Sequence, residues 1–201
     1  MQFSDLNEFE SMSQRQKEIT VESIKLISDK GIDSLTIKNI SQAMGLTEMA
    51  LYRHFKSKAD IIQTILTIFQ AKMHGIVETL IAKNLPPVAT LTEFTQTYFS
   101  TFNECPWLTS LLFAHEIFLL GDREILLTQI IEQMLNRIGD VVSSGQKQQV
   151  IRSGIPVESL SLVFLGTLRT TILRWHLSRH QRNLIEDGDA ALAGLMELIR
   201  A

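Results

Sequence analysis

Residues 36–55 read TIKNISQAMGLTEMALYRHF, and the fold turns on this stretch. Thr36 and Thr47 each stand where a hydroxyl can cap a helix. Ile37, Ile40 and Met44 recur at helical spacing, and Leu46, Leu51 and Phe55 are placed to face the same core. Gly45 lies between the two runs and supplies the sharp turn that lets two short helices pack at a steep angle. The reading is a helix over 36–44 and another over 47–55. Helices this short do not hold alone in water, so neighbours must buttress them. The second exposes Glu48, Met49, Ala50, Arg53 and His54 on its outer face. In a DNA-binding unit of this shape, the start of the second helix enters the major groove.

Helical periodicity continues in both directions. A helix over 13–30 carries the stripe Ile19, Ile24 and Ile27, with Gly31 at its C-terminal stop. A long helix over 58–83 ends at Pro86-Pro87. Further helices are expected over 90–103, 107–120, 122–143, 156–180, where Pro156 suits the first position, and 188–200. Residues 1–12 are polar and acidic and read as a flexible N-terminus. No stretch alternates with the period of a strand, and no internal repeat is present. The fold class is all-α with about nine helices. Residues 13–70 form a helix-turn-helix domain, joined by the long helix to a helical domain over 71–201.

The chain has 201 residues, of which 45% are hydrophobic and 20% charged, so it can bury a sizeable core. Its net charge of −3 excludes a uniformly basic nucleic-acid binder but not a local basic face. Residues 13–70 hold eight Lys/Arg against six Asp/Glu, whereas the remainder is acidic. Arg53, His54, Lys56 and Lys58 cluster in that basic portion. A single Cys excludes an intrachain disulfide framework and fits a reducing compartment. No stretch reaches the length of a membrane span, and the acidic N-terminus has no export pattern, so a cytoplasmic protein is expected, with no membrane partner.

The stretch GIDSLTIKNISQAMGLTEMALYRHFKSKADII, residues 31–62, resembles the N-terminal DNA-binding domain of TetR-family transcriptional regulators. The carriers are LYRHFKSK and the upstream T-x-x-x-I-x-x-x-x-G. By that resemblance Tyr52, His54 and Lys58 fall at phosphate-contacting positions. Thr47 falls where a hydroxyl and a backbone N–H hold a phosphate. Thr36 and Lys38 fall where the preceding helix reaches backbone or a base edge. Glu48, Met49 and Ala50 occupy the base-reading positions, and Arg53 reaches a guanine or a phosphate. Glu48 has two readings: it favours the helix dipole, yet near DNA it repels phosphate unless it accepts from a cytosine. Thr20 and Ser23 depart from the family, standing where apolar or small residues are usual.

The resemblance also implies that the second domain binds a small effector and dimerises through its last two helices. Met73, Phe94, Tyr98, Phe102, Trp107, Phe113, Phe118 and Trp175 are candidates to line an apolar pocket, or simply core. His115 and Arg169 are candidate polar orienting groups. The helix over 156–180 has an apolar surface wide enough for two neighbours, and Gly166 allows close approach. Phe164, Gly166, Leu168, Trp175, Leu192, Leu195 and Met196 are therefore expected to form a homodimer interface.

His176 and His180 stand at i, i+4, but the cations Arg174, Arg179 and Arg182 around them disfavour a metal. No cofactor is expected. No nucleophile with a base nearby, metal set or phosphate loop suggests an enzyme. The expected function is a homodimeric repressor of twofold operator DNA, released by a small hydrophobic or aromatic effector. The alternative is a DNA-bound protein whose second domain recruits a protein partner and senses nothing.

Overall fold

The computed structural model describes residues 7–113 and 123–201, with side chains for 9–78, 83–113 and 128–201. The described residues are helical, with only an isolated antiparallel bridge between Ile151 and Arg200. Contacts divide the chain into two units. The first comprises Met1–Met73 and Cys105–Leu127, the second His74–Glu104 and Thr128–Ala201. The division differs from the contiguous one expected at 70/71, because the described residues of Cys105–Leu127 group with the N-terminal unit.

In the first unit, α1 (Asn7–Glu10) lies inside the segment expected to be flexible. Phe9 is buried under the Lys17 ammonium, which is 5.5 Å from its ring centre and 3.3 Å from Glu10. Ser13 caps α2 (Gln14–Lys30) in a reciprocal box with Gln16. A 3-10 turn, Ile32–Ser34, leads to α3 (Ile37–Met44) and α4 (Glu48–Tyr52). The second short helix is thus briefer than expected, its last residues forming a turn before α5 (Lys58–Ala82). Helix α7 (Trp107–Phe113) packs on α2, as do α3 and the 3-10 turn. Ile19, Ile24, Leu35, Ile40, Leu51, Ile61 and Ile65 are fully buried. So are Thr20 and Ser23. The Ser23 hydroxyl donates to the Ile19 carbonyl at 2.7 Å, whereas Thr20 Oγ1 has no hydrogen-bond partner among the described residues.

The second unit contains α6 (Pro87–Glu104), most of α8 (Arg123–Lys147), α9 (Val157–Leu177) and α10 (Leu184–Ile199). Helix α6 begins earlier than expected. Proline lacks only an N–H that the first turn leaves unbonded anyway, so Pro87 starts this helix, beyond the end of α5 at Ala82. Helix α10 also begins early, because Asn183 accepts from the N–H groups of Ile185 and Glu186. It packs on both α6 and α9.

That packing corrects the expected dimer interface. Phe164, Leu168, Trp175, Leu192, Leu195 and Met196 are buried within the single subunit, Leu168 at 0% exposure. A side chain already enclosed by its own subunit has no surface left for a partner. The apolar stripe of α9 is spent on α6 and α10 instead. Of the expected set only Gly166 lies on the outer face. There it keeps company with Leu162, Val163 and Leu177 of α9 and with Ala190, Ala193, Gly194 and Leu198 of α10, all exposed.

Candidate nucleic-acid interface

The geometry starts at Gly45, whose left-handed backbone (φ 64°, ψ 31°) closes α3. The following N–H, of Leu46, returns to the Ser41 carbonyl at 2.8 Å, satisfying one of the last carbonyls of the helix. A side chain at position 45 would strain that backbone. Two residues after the glycine, the Thr47 hydroxyl accepts from the Ala50 N–H at 3.1 Å and starts α4. The Thr36 hydroxyl does the same for α3, accepting from Asn39 at 3.0 Å.

Burial separates the two faces of α4. Leu51 is fully buried and Phe55 nearly so. Thr47, Glu48, Met49, Tyr52 and Arg53 are exposed, and Ala50 is intermediate. Met49 is 71% exposed and Tyr52 48%, a large apolar outlay that folding of the subunit does not explain. Lys38 is exposed, whereas Thr36, His54 and Lys58 are half-buried. All ten candidate residues therefore lie in one unit, and none is sealed in its core.

Three residues not singled out from the sequence hold this surface in place. Gln16 Nε2 donates to the His54 carbonyl at 3.3 Å, tying the end of α4 to α2. The Ser57 hydroxyl accepts from the Asp60 N–H, and the Asp60 carboxylate accepts from the Lys56 N–H at 3.0 Å. This fixes the start of α5, where Lys58 stands. The capping signatures Ser13-x-x-Gln16 and Ser57-x-x-Asp60 are readable in the sequence; the Gln16–His54 bond, across 38 residues, is not.

In the second unit, a cavity of about 240 Å³ is walled by Val77, Thr90, Leu91, Phe94, Arg137, Ile138, Asp140 and Val141. Of the expected effector residues, Phe94 lies on this wall. Its ring stacks on Tyr98 at 5.7 Å, and Tyr98 meets Phe102 edge-on at 4.9 Å, so these aromatics also form the core behind the cavity. Burial pushes the Tyr98 phenol well above its ordinary pKa, opposed by the charge of half-buried Arg169. Trp175 packs against His180, with ring centres 4.2 Å apart. Met73, Trp107 and Phe113 belong to the first unit, and His115 and Phe118 lie outside the described residues. The aliphatic wall and its Arg137–Asp140 pair carried no sequence signal that distinguishes them from an ordinary helix.

Among the described residues, α3 and α4 form a helix-turn-helix whose second helix turns an unburied face outward, the arrangement that helix-turn-helix DNA-binding proteins use. Residues 19–65 match the family model for bacterial regulatory proteins of the tetR family. The HTH-type transcriptional repressor KstR2 of Rhodococcus jostii (strain RHA1) is 25% identical over 82% of this chain and 80% of the relative. The nucleoid occlusion factor SlmA of Vibrio atlanticus (strain LGP32) is 23% identical over 94% of this chain and 97% of its own length. The fold matches that of the ketosteroid transcriptional regulator KstR2 of Mycobacterium tuberculosis with a TM-score of 0.80 at 16% identity, covering 95% and 97% of the two chains. It matches FadR of Bacillus subtilis, solved in complex with stearoyl-CoA, at 0.73 and 19%, covering 92% and 98%. Over residues 19–65 the chain is thus similar to bacterial regulatory proteins of the tetR family, and along most of its length it shares the fold of solved regulators of that kind. Among the described residues no helix is long and apolar enough to cross a membrane.

Proposed function

We propose that the protein is a cytoplasmic, homodimeric repressor that binds a twofold operator and leaves it when a small apolar effector enters the second unit. The observation that carries the DNA reading is the exposed face of α4, with Met49 and Tyr52 held in water beside Arg53. Tyr52, His54, Lys58, Thr47, Thr36 and Lys38 would contact backbone, and Glu48, Met49, Ala50 and Arg53 base edges. One reading helix offers few contacts, which favours two copies on two half-sites. The outer face of α9 and α10, with Leu162, Val163, Gly166, Leu177 and Leu198, supports pairing of those copies as a four-helix bundle. The cavity beside Phe94 supports an effector, and one structural neighbour was solved with an acyl thioester bound.

The alternative, a DNA-bound protein that recruits a partner protein, draws on the same exposed apolar face. The cavity favours sensing, because a domain built only to present a surface has no need of one.

The test is selection of duplexes from a random pool by the full-length chain, followed by anisotropy titration against salt. Neutralising about six phosphates per dimer gives a log–log slope near −5. A slope near zero, or a pool that returns no common sequence, would overturn the reading.

A further inference from the structure

The proposed effector site carries a charge pattern that specifies its ligand. Its wall is aliphatic and aromatic: Val77, Leu91, Phe94, Ile138 and Val141. Its polar edge holds one guanidinium, Arg137, and one carboxylate, Asp140, whose side chains are 52% and 77% exposed. They lie one helical turn apart on α8, at 4.0 Å. The other carboxylate near Arg137, Glu78, is 3.8 Å away. Both distances exceed a hydrogen bond, so these pairings leave the donor fork of the guanidinium open to a ligand.

A shallower depression of about 460 Å³ adjoins the cavity and shares Thr90, Asp140 and Val141 with it. Its other polar side chains, Asn84, Ser144 and Gln148, are neutral. Among the described residues lining the two, Arg137 is the one cation. A head group with several negative charges would find one guanidinium and, beside it, an opposing carboxylate. A cationic head could pair with Asp140 only beside the like charge of Arg137. A neutral group that both accepts and donates satisfies Arg137 and Asp140 together.

We propose that the effector is an uncharged, mostly aliphatic molecule, or the aliphatic end of one, whose terminal hydroxyl or amide accepts from Arg137 and donates to Asp140. This rests on the effector reading above and narrows it to a ligand class.

The test uses 1-octanol, octanoate and octylamine, which share a chain length and differ in head-group charge. Calorimetry on the full-length protein without DNA reads binding, and anisotropy on the selected duplex reads release. Octanol should bind several-fold more tightly than either charged analogue, because each charged head meets one like charge while water screens its attraction to the exposed opposite one. Asp140→Asn should narrow the gap to octanoate several-fold, and Arg137→Gln the gap to octylamine. Val141→Phe, at a half-buried wall position, should abolish binding of all three while circular dichroism stays unchanged. If octanoate binds best to the wild type, or neither substitution alters the preference, the assigned ligand class is wrong. If octanol binds with this pattern yet leaves DNA affinity untouched, the ligand class stands and the effector reading falls. If none of the three binds, both fall.

Discussion

A Cβ at Gly188 would stand 2.3 Å from Cδ2 of Phe99. The glycine lies inside α10, and its bare backbone lets the helix close on the ring of α6. Phe99 is itself 2% exposed and cannot swing away. Gly188→Ala should therefore destabilise the protein by about 1–3 kcal/mol, despite alanine's better helix propensity. Thermal unfolding measures this, and Phe99→Leu in the same chain should recover part of the loss. A Gly188→Ala protein at least as stable as the wild type would refute the close approach.

Thr20 is the opposite case, a polar group whose removal should help. Its hydroxyl is buried with no hydrogen-bond partner among the described residues. Thr20→Val keeps the shape and removes the desolvation cost, so it should stabilise by about 1 kcal/mol. Denaturant midpoints check it: a midpoint that falls means the hydroxyl is satisfied in solution.

On the reading face, Tyr52→Phe should leave the melting temperature unchanged, because the ring is 48% exposed. It should weaken DNA binding by about 1 kcal/mol, the worth of one hydrogen bond to a phosphate. Met49→Ala should instead change which duplex is selected, since this side chain is 71% exposed at the position proposed to read a base. An unchanged selected sequence for Met49→Ala would remove Met49 from the reading face.

Two leucines of α9 would separate folding from the proposed pairing. Leu168 is fully buried in the subunit, and Leu168→Glu should unfold it. Leu162 is 54% exposed, and under the pairing proposed above Leu162→Glu should keep the helical spectrum while converting dimers to monomers, because the proposed twofold face would bury the new charge twice. Sedimentation at micromolar concentration decides this; a dimeric Leu162→Glu protein would put the interface elsewhere.

The end of α9 should make stability depend on pH. Burial lowers the pKa of His176, and burial together with the charge of His176 lowers that of His180. The rings lie 5.8 Å apart, with Arg174 and Arg179 on the same segment. The unfolded chain then binds protons more readily than the folded one. Stability from these groups is full above the unfolded imidazole value of about 6.5 and is lost as pH falls below it. His176→Gln with His180→Gln should flatten the melting temperature between about pH 7 and 5. A curve that keeps its wild-type slope in the double variant would assign the dependence to other groups.

The reading unit is legible in the residues alone. Its signals are local: a left-handed glycine at 45, capping threonines at 36 and 47, and an apolar stripe ending at Leu51 and Phe55. Each acts within one or two helical turns, so spacing reveals it, and the residues left over define the outward face. The second unit followed another logic. Phe164, Leu168 and Trp175 looked like surface for a partner, since periodicity shows that a stripe is apolar but not what covers it. Tertiary packing against α6 and α10 assigned that stripe to the core and left Leu162, Val163 and Leu198 outside. It also turned Gly188 from an apparent helix boundary into a contact with Phe99. Finally, it opened a cavity between Val77, Phe94 and Ile138, residues far apart in the chain whose joint wall depends on where three helices meet.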